Sequence, residues 1–263
     1  MKKKILFWIR VFKKAFIHAM VDDEFRLYIG KRRLQGLKGK ISTFKSAGDR
    51  ALTNTISYNL KALNDITTDF CMQRMKWLIY AVLAVETTTR HSSILFIGPR
   101  TENEILFLKA LGYENVSALD LISYSPYITL GDMHNIPFGD EAFDIVICGW
   151  TLSYSKQPSI VAKEIVRVAK KNGLIAVGLE HIPAQKLEAM LKESSISESS
   201  SLNQKELATD RLNSVEDIRN LFGMREADQL VFSHNAPLKN LGTQKMQLLT
   251  GLGSSQVMVV LRK

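Results

Sequence analysis

Apolar positions recur with two different periods along this chain, and the change of period comes near residue 90. Before it the spacing is helical. In residues 4–20, Ile5, Trp8, Ile9, Phe12, Ala15, Phe16 and Ala19 fall three and four apart and predict an amphipathic helix with lysines on much of its other surface. Leu52, Ile56, Leu60, Leu63 and Ile66 predict a helix over 49–66, and Phe70, Met75, Leu78, Ile79, Val82 and Val85 a second over 69–86. Residues 31–45, basic and flanked or interrupted by Gly30, Gly36, Gly39 and Gly48, read as an irregular connector.

From residue 91 short apolar runs alternate with helical stretches. Residues 94–97 read as a buried strand, 102–111 as a helix stopped by Gly112, and 116–119 and 143–148 as strands. A helix over 157–170, ended by Asn172-Gly173, leads into a strand at 174–179. This order predicts an α/β fold with a mostly parallel sheet and helices on both faces. After a Ser/Glu-rich stretch at 193–201, read as a loop, Ser214 caps a helix to Phe222. Strands at 229–233 and 256–261 are then expected to pair antiparallel at the sheet edge. The predicted organisation is a basic helical extension, 1–90, and an α/β domain, 91–263.

Charge sharpens that division. The 263 residues carry a net charge of +9. Residues 1–50 hold fourteen Lys/Arg and four Asp/Glu, a balance of +10, and the remainder twenty-one and twenty-two, a balance of −1. A basic helix with Trp and Phe in 4–20 fits either packing on its own domain or peripheral contact with an anionic membrane. Nucleic acid is the weaker expectation, because the basic connector lacks interleaved aromatics for stacking. The apolar stretch at 5–9 stops at Arg10, short of a signal-peptide core, and the longest apolar run, 77–85, is far below the roughly 20 residues of a spanning helix. Cys71 and Cys148 form no disulfide framework, and Cys148 in its apolar run reads as a buried core residue. The expected location is cytoplasmic, with contact at the inner membrane surface if 4–20 docks there. No metal-ligand cluster is visible.

The chemistry concentrates at the ends of the predicted strands, where open parallel sheets bind ligands. The first strand runs into Gly98-Pro99-Arg100-Thr101-Glu102, where Gly98 permits a tight turn before a helix N-terminus. Asp120, followed by Leu121, ends the second strand about twenty residues on, the position of a ribose-binding acid in nucleoside-binding βαβ units. Gly131-Asp132-Met133 offers a carboxylate to an adenine amino group and an apolar neighbour to the ring face. Gly149-Trp150-Thr151-Leu152-Ser153-Tyr154 follows the 143–148 strand as the opposite wall.

These pieces resemble the class I S-adenosylmethionine-dependent methyltransferases, most closely their type 11 group. The resemblance rests on GDMHNIPFGDEAFD at 131–144 and EIVRVAKKNG at 164–173, and covers about 91–263. It implies a Rossmann-like, seven-stranded, mostly parallel sheet with an antiparallel C-terminal edge pair. It implies S-adenosylmethionine as cofactor and methyl transfer to a small-molecule or saccharide-type acceptor. The cofactor residues it implies are Gly98, Arg100, Glu102, Asp120, Leu121, Asp132, Met133 and Gly149. The glycine motif is altered: Phe96 stands where the family has an acid, and Arg100 and Glu102 where it has glycines. Two outcomes are open. Arg100 pairs with the cofactor's carboxylate while Glu102 meets its ammonium, or both side chains fill the site and the domain is a non-catalytic scaffold that binds S-adenosylmethionine or another nucleoside. A methyltransferase directed to lipid or nucleic acid by the basic N-terminus is a third reading. Candidate bases are His181, Tyr154 and His134; Tyr124, Tyr127, Trp150 and Tyr154 are candidates to line the acceptor pocket.

Overall fold

The computed structural model describes residues 2–45, 50–64, 70–181, 212–235 and 256–263. The Ser/Glu-rich stretch at 193–201 and the side chains of Ile5, Trp8, Ile9, Ile66 and Cys71 lie outside the described residues. Four N-terminal helices, α1 (Lys2–Ala19), α2 (Asp23–Leu37), α3 (Arg50–Asn64) and α4 (Phe70–Leu83), enclose the two-residue strand β1 (Ser42–Thr43). Then follow β2 (Ile94–Ile97), α5 (Asn103–Ala110), β3 (Val116–Asp120), β4 (Ile122–Ser123), β5 (Ile128–Leu130) and β6 (Phe143–Gly149). The chain continues through α6 (Pro158–Val168), β7 (Ala169–Glu180), α7 (Val215–Phe222), β8 (Leu230–His234) and β9 (Gln256–Arg262).

The main sheet has seven strands in the order β5-β3-β2-β6-β7-β9-β8. The first five run parallel; β9 is antiparallel to both β7 and β8. The C-terminal pair forms as expected, with β9 inside and β8 at the edge. Side-chain alternation then builds two cores. Ile94, Phe96, Ile145, Ile147, Ala176, Met258 and Val260 face α3, α4 and α5, in one cluster with Ile56, Leu78, Val82 and Phe107. Leu95, Ile97, Val146, Cys148, Val177 and Val259 face α6 and α7, among Val161, Ile165, Ile218 and Phe222. Helices numbered before residue 90 therefore complete one face of the sheet. Phe96, in the family acid's place, is 1% exposed within that core.

Two local expectations differ from the structure. The segment 31–45 is helical through Leu37, not an irregular connector. Asp22 caps α2, accepting from Phe25 N at 2.8 Å, and Gly30 serves close packing: a Cβ there would lie 2.7 Å from Asn103 Oδ1 of α5. The helix predicted to 170 stops at Val168, because Ala169 already pairs with Phe143 in the sheet. Asn172 (φ +63°) and Gly173 make an irregularity inside β7, where a Cβ on Gly173 would sit 2.8 Å from Lys170 O. Ser214 caps α7 as predicted, accepting from Asp217 N at 3.1 Å.

The motif EIVRV has a structural job. Arg167 on α6 donates to Ile136 O (2.9 Å), Phe138 O (2.8 Å) and Asp140 Oδ1 (2.8 Å), while Glu164 binds the same guanidinium and accepts from Ile136 N at 2.7 Å. These bonds fix the loop that carries Asp132 and Met133 to the sheet. Arg167→Ala should lower the unfolding free energy by about 1–3 kcal/mol in urea denaturation, since several charge-assisted bonds are lost from a partly exposed site. An unchanged midpoint would contradict this role.

Candidate functional site

The loop after β2 is set by its backbone. Gly98 adopts φ +69°, and a Cβ there would lie 2.4 Å from the Thr151 side chain, so only glycine fits. Its N–H donates to Leu119 O at 2.8 Å and its carbonyl accepts from Thr151 Oγ1 at 3.3 Å. Arg100 also lies in the left-handed region, φ +59°, which favours glycine. The Asp120 carboxylate holds it there, accepting from Arg100 N at 2.8 Å and from Ile122 N at 3.1 Å. Burial raises the Asp120 carboxyl above its ordinary pKa, against the lowering effect of those backbone N–H groups.

Gly131-Asp132-Met133 follows β5. A Cβ on Gly131 would approach Leu119 Cδ1 to 2.6 Å, so glycine lets this turn close onto β3. Asp132 Oδ1 accepts from His134 N at 3.0 Å and pairs with His134 Nδ1 at 2.6 Å; His134 Nε2 lies 2.7 Å from Ser155 Oγ. Burial pushes the Asp132 carboxyl up, but the His134 hydrogen bonds outweigh it and hold the group below its usual value. At the end of β6, Gly149 leaves room for Met75 of α4, whose Cε would be 2.3 Å from a Cβ at that position. The Cys148 thiol is pushed up to about 12 by complete burial, as a core residue's would be.

These loops surround one cavity of about 440 Å³, within the usual range of small-molecule sites. Gly98, Arg100, Asp120, Leu121, Asp132, Met133 and Gly149 line it, together with Trp150, Tyr154 and His134. The other predicted residues lie elsewhere. Glu102 is not among the residues lining the cavity: its fully buried carboxylate takes two bonds from Arg33 of α2, Nε to Oε2 at 2.7 Å and Nη2 to Oε1 at 2.9 Å, and one from Ser125 Oγ. Tyr124 is buried behind the loop, its hydroxyl accepting from Glu102 N at 3.1 Å, and burial raises its pKa. Tyr127 sits beneath the Arg33 and Lys109 side chains. His181 lies outside the cavity, with Nδ1 3.0 Å from Asn213 O.

The sequence reading missed one wall. Asn54, Thr55, Tyr58 and Asn59 of α3 and Arg74 and Met75 of α4 line the same cavity, as does Glu104. The signal was present: Asn54, Thr55, Tyr58 and Asn59 form a polar stripe beside the apolar one on α3. The Arg100 guanidinium lies 5.9 Å from the Tyr58 ring centroid, and that of Arg74 4.6 Å from that of Trp150. Among the described residues no cluster of His, Cys, Asp and Glu could hold a metal ion.

Residues 105–177 match the family model described as a methyltransferase domain. A chain from the complex of the Haloferax volcanii Trm112 methyltransferase activator with a methyltransferase aligns over 83% of this chain and 99% of its own, at 14% identity and a TM-score of 0.52. A sarcosine dimethylglycine methyltransferase from Galdieria sulphuraria aligns over 73% of this chain and 86% of its own (14% identity, TM-score 0.48). The PH0226 protein of Pyrococcus horikoshii aligns over 75% and 93% (15%, 0.48). No curated protein sequence matches the chain.

Glu102→Ala should strand the Arg33 guanidinium and the Ser125 hydroxyl and cost about 2–3 kcal/mol of stability in urea denaturation. A loss under about 0.5 kcal/mol, the scale of an ordinary surface change, would contradict the anchoring role.

Proposed function

We propose that this chain, which carries a methyltransferase domain of the class I S-adenosylmethionine-dependent kind, transfers a methyl group to a small-molecule or saccharide-type acceptor. The observation that supports this reading most is the convergence of Gly98, Asp120, Asp132 and Met133 on one cavity at the carboxyl ends of β2, β3 and β5. Those groups fit the adenosyl part of the cofactor: Asp120 would hold the ribose and Asp132 the adenine amino group, with Met133 against the ring. Arg100 fits its carboxylate end. The Arg100 Nε is buried without a hydrogen-bond partner, so an anion brought to that guanidinium would meet a donor not otherwise engaged.

S-adenosylmethionine, when bound, supplies an electrophilic methyl group. The protein's part is to hold an acceptor in line and keep water away. Tyr58, Trp150 and Tyr154 line the cavity, and we assign the acceptor to their aromatic surface. His134 is a poor choice of base, because both ring nitrogens are engaged by Asp132 and Ser155. Tyr154, 57% exposed, is the remaining candidate at the rim. One observation favours binding without catalysis: no glycine follows Gly98 until Gly112, so the side chain of Arg100 stands where family members keep open backbone.

Calorimetry with S-adenosylhomocysteine tests the reading. The native chain should bind, and Asp132→Ala and Arg100→Ala should each weaken binding about 10-fold or more, the loss of one charge-assisted contact. Unchanged affinity in both variants would remove these assignments. Conversion of S-adenosylmethionine to S-adenosylhomocysteine with a panel of sugar and small-metabolite acceptors separates the two readings; binding with no turnover on any of them favours the scaffold.

A further inference from the structure

Among the described side chains of α1, residues 11–19, the apolar stripe is not the face that packs on the protein. Contact with the body is made by Ile17 and by Met20 just past the helix end, which cluster with Phe25, Ile29, Leu106 and Ala110. His18 adds a contact, its Nδ1 2.9 Å from Ala110 O. Of the stripe predicted from the sequence, Phe12, Ala15, Phe16 and Ala19 are exposed, and Val11 beside them is exposed too. Phe12 is 69% exposed and Val11 39%. Phe16 touches Phe25 edge-on, with ring centroids 5.5 Å apart, yet keeps 49% of its surface in solvent. Large apolar side chains gain from leaving water, so a continuous exposed stripe of them on one helix marks a surface for another phase or molecule.

Charge decides which. Lys13 and Lys14 are exposed on the same helix, and the first fifty residues carry a balance of +10 against −1 for the remainder. Two copies meeting through α1 would bring these cationic segments together, at an electrostatic cost. An anionic bilayer surface supplies both what the stripe and what the lysines need. No helix among the described residues is long and apolar enough to cross a membrane.

We propose that α1 docks the protein on an anionic lipid surface, with Val11, Phe12 and Phe16 entering the acyl boundary and Lys13 and Lys14 among the headgroups. This rests on the helix alone and holds whatever the cavity binds.

The test is co-sedimentation of the full chain with vesicles of phosphatidylcholine alone or mixed with phosphatidylglycerol. Binding should require the anionic lipid and weaken about tenfold or more at high salt. Phe12→Glu should reduce it by about tenfold or more, as should Lys13→Gln with Lys14→Gln on the anionic vesicles. Thermal unfolding of the Lys13→Gln, Lys14→Gln variant should match the native chain, because both positions are exposed, so its loss of binding reports on the surface and not on the fold. Equal binding by native chain and variants, or no binding by the native chain, overturns the proposal. So does light scattering that finds a native dimer made monomeric by Phe12→Glu, which would assign the stripe to a second copy.

Discussion

The buried carboxylate of Asp120 sets the geometry on which the cavity depends. It ends β3, is 5% exposed, and accepts from the backbone N–H of both Arg100 and Ile122. A carboxylate out of water is costly unless hydrogen-bonded, and here two N–H groups that the sheet leaves over satisfy it. The same bonds draw the loop after β2 against the end of β3 and hold Arg100 in a conformation usually left to glycine. Asp120 is thus both a lining group of the cavity and the tie that shapes its floor.

That tie explains how the loop after β2 holds a left-handed backbone at a residue other than glycine. Arg100 takes the left-handed backbone without being glycine. Glu102 turns away from the cavity and is an anchor for α2 through Arg33. Glu102 serves packing: it fastens an N-terminal helix to the loop that borders the cavity. Gly149 and Gly30 do related work by admitting Met75 of α4 and Asn103 of α5 at close range. The N-terminal helices consequently belong to the walls of the site as well as to one face of the sheet.

Much of this was legible in the sequence because period and burial coincide. The strands at 94–97, 116–119, 143–148 and 256–261 are apolar on both faces, as strands covered by helices on both sides must be. Asp120, Asp132 and Gly98 were legible because their places after strands carry chemical meaning. What escaped was long-range. Nothing local distinguishes Glu102 facing a ligand from Glu102 paired with Arg33, 69 residues away in sequence. Gly30 looked like a breaker because its value lies in the approach of a second helix. The exposure of Phe12 and Phe16 on α1 was equally invisible, since a helical period states that a face exists and not what it meets.

The central claim is that the cavity between Gly98, Asp120 and Asp132 holds S-adenosylmethionine with Arg100 at its carboxylate end. A crystal structure of the full chain grown with S-adenosylhomocysteine tests it most directly. The account predicts density with adenine beside Asp132 and Met133, the ribose at Asp120 and the carboxylate at the Arg100 guanidinium. Density placed elsewhere, or an Arg100 side chain filling the cavity with no ligand bound at saturating concentration, would contradict it.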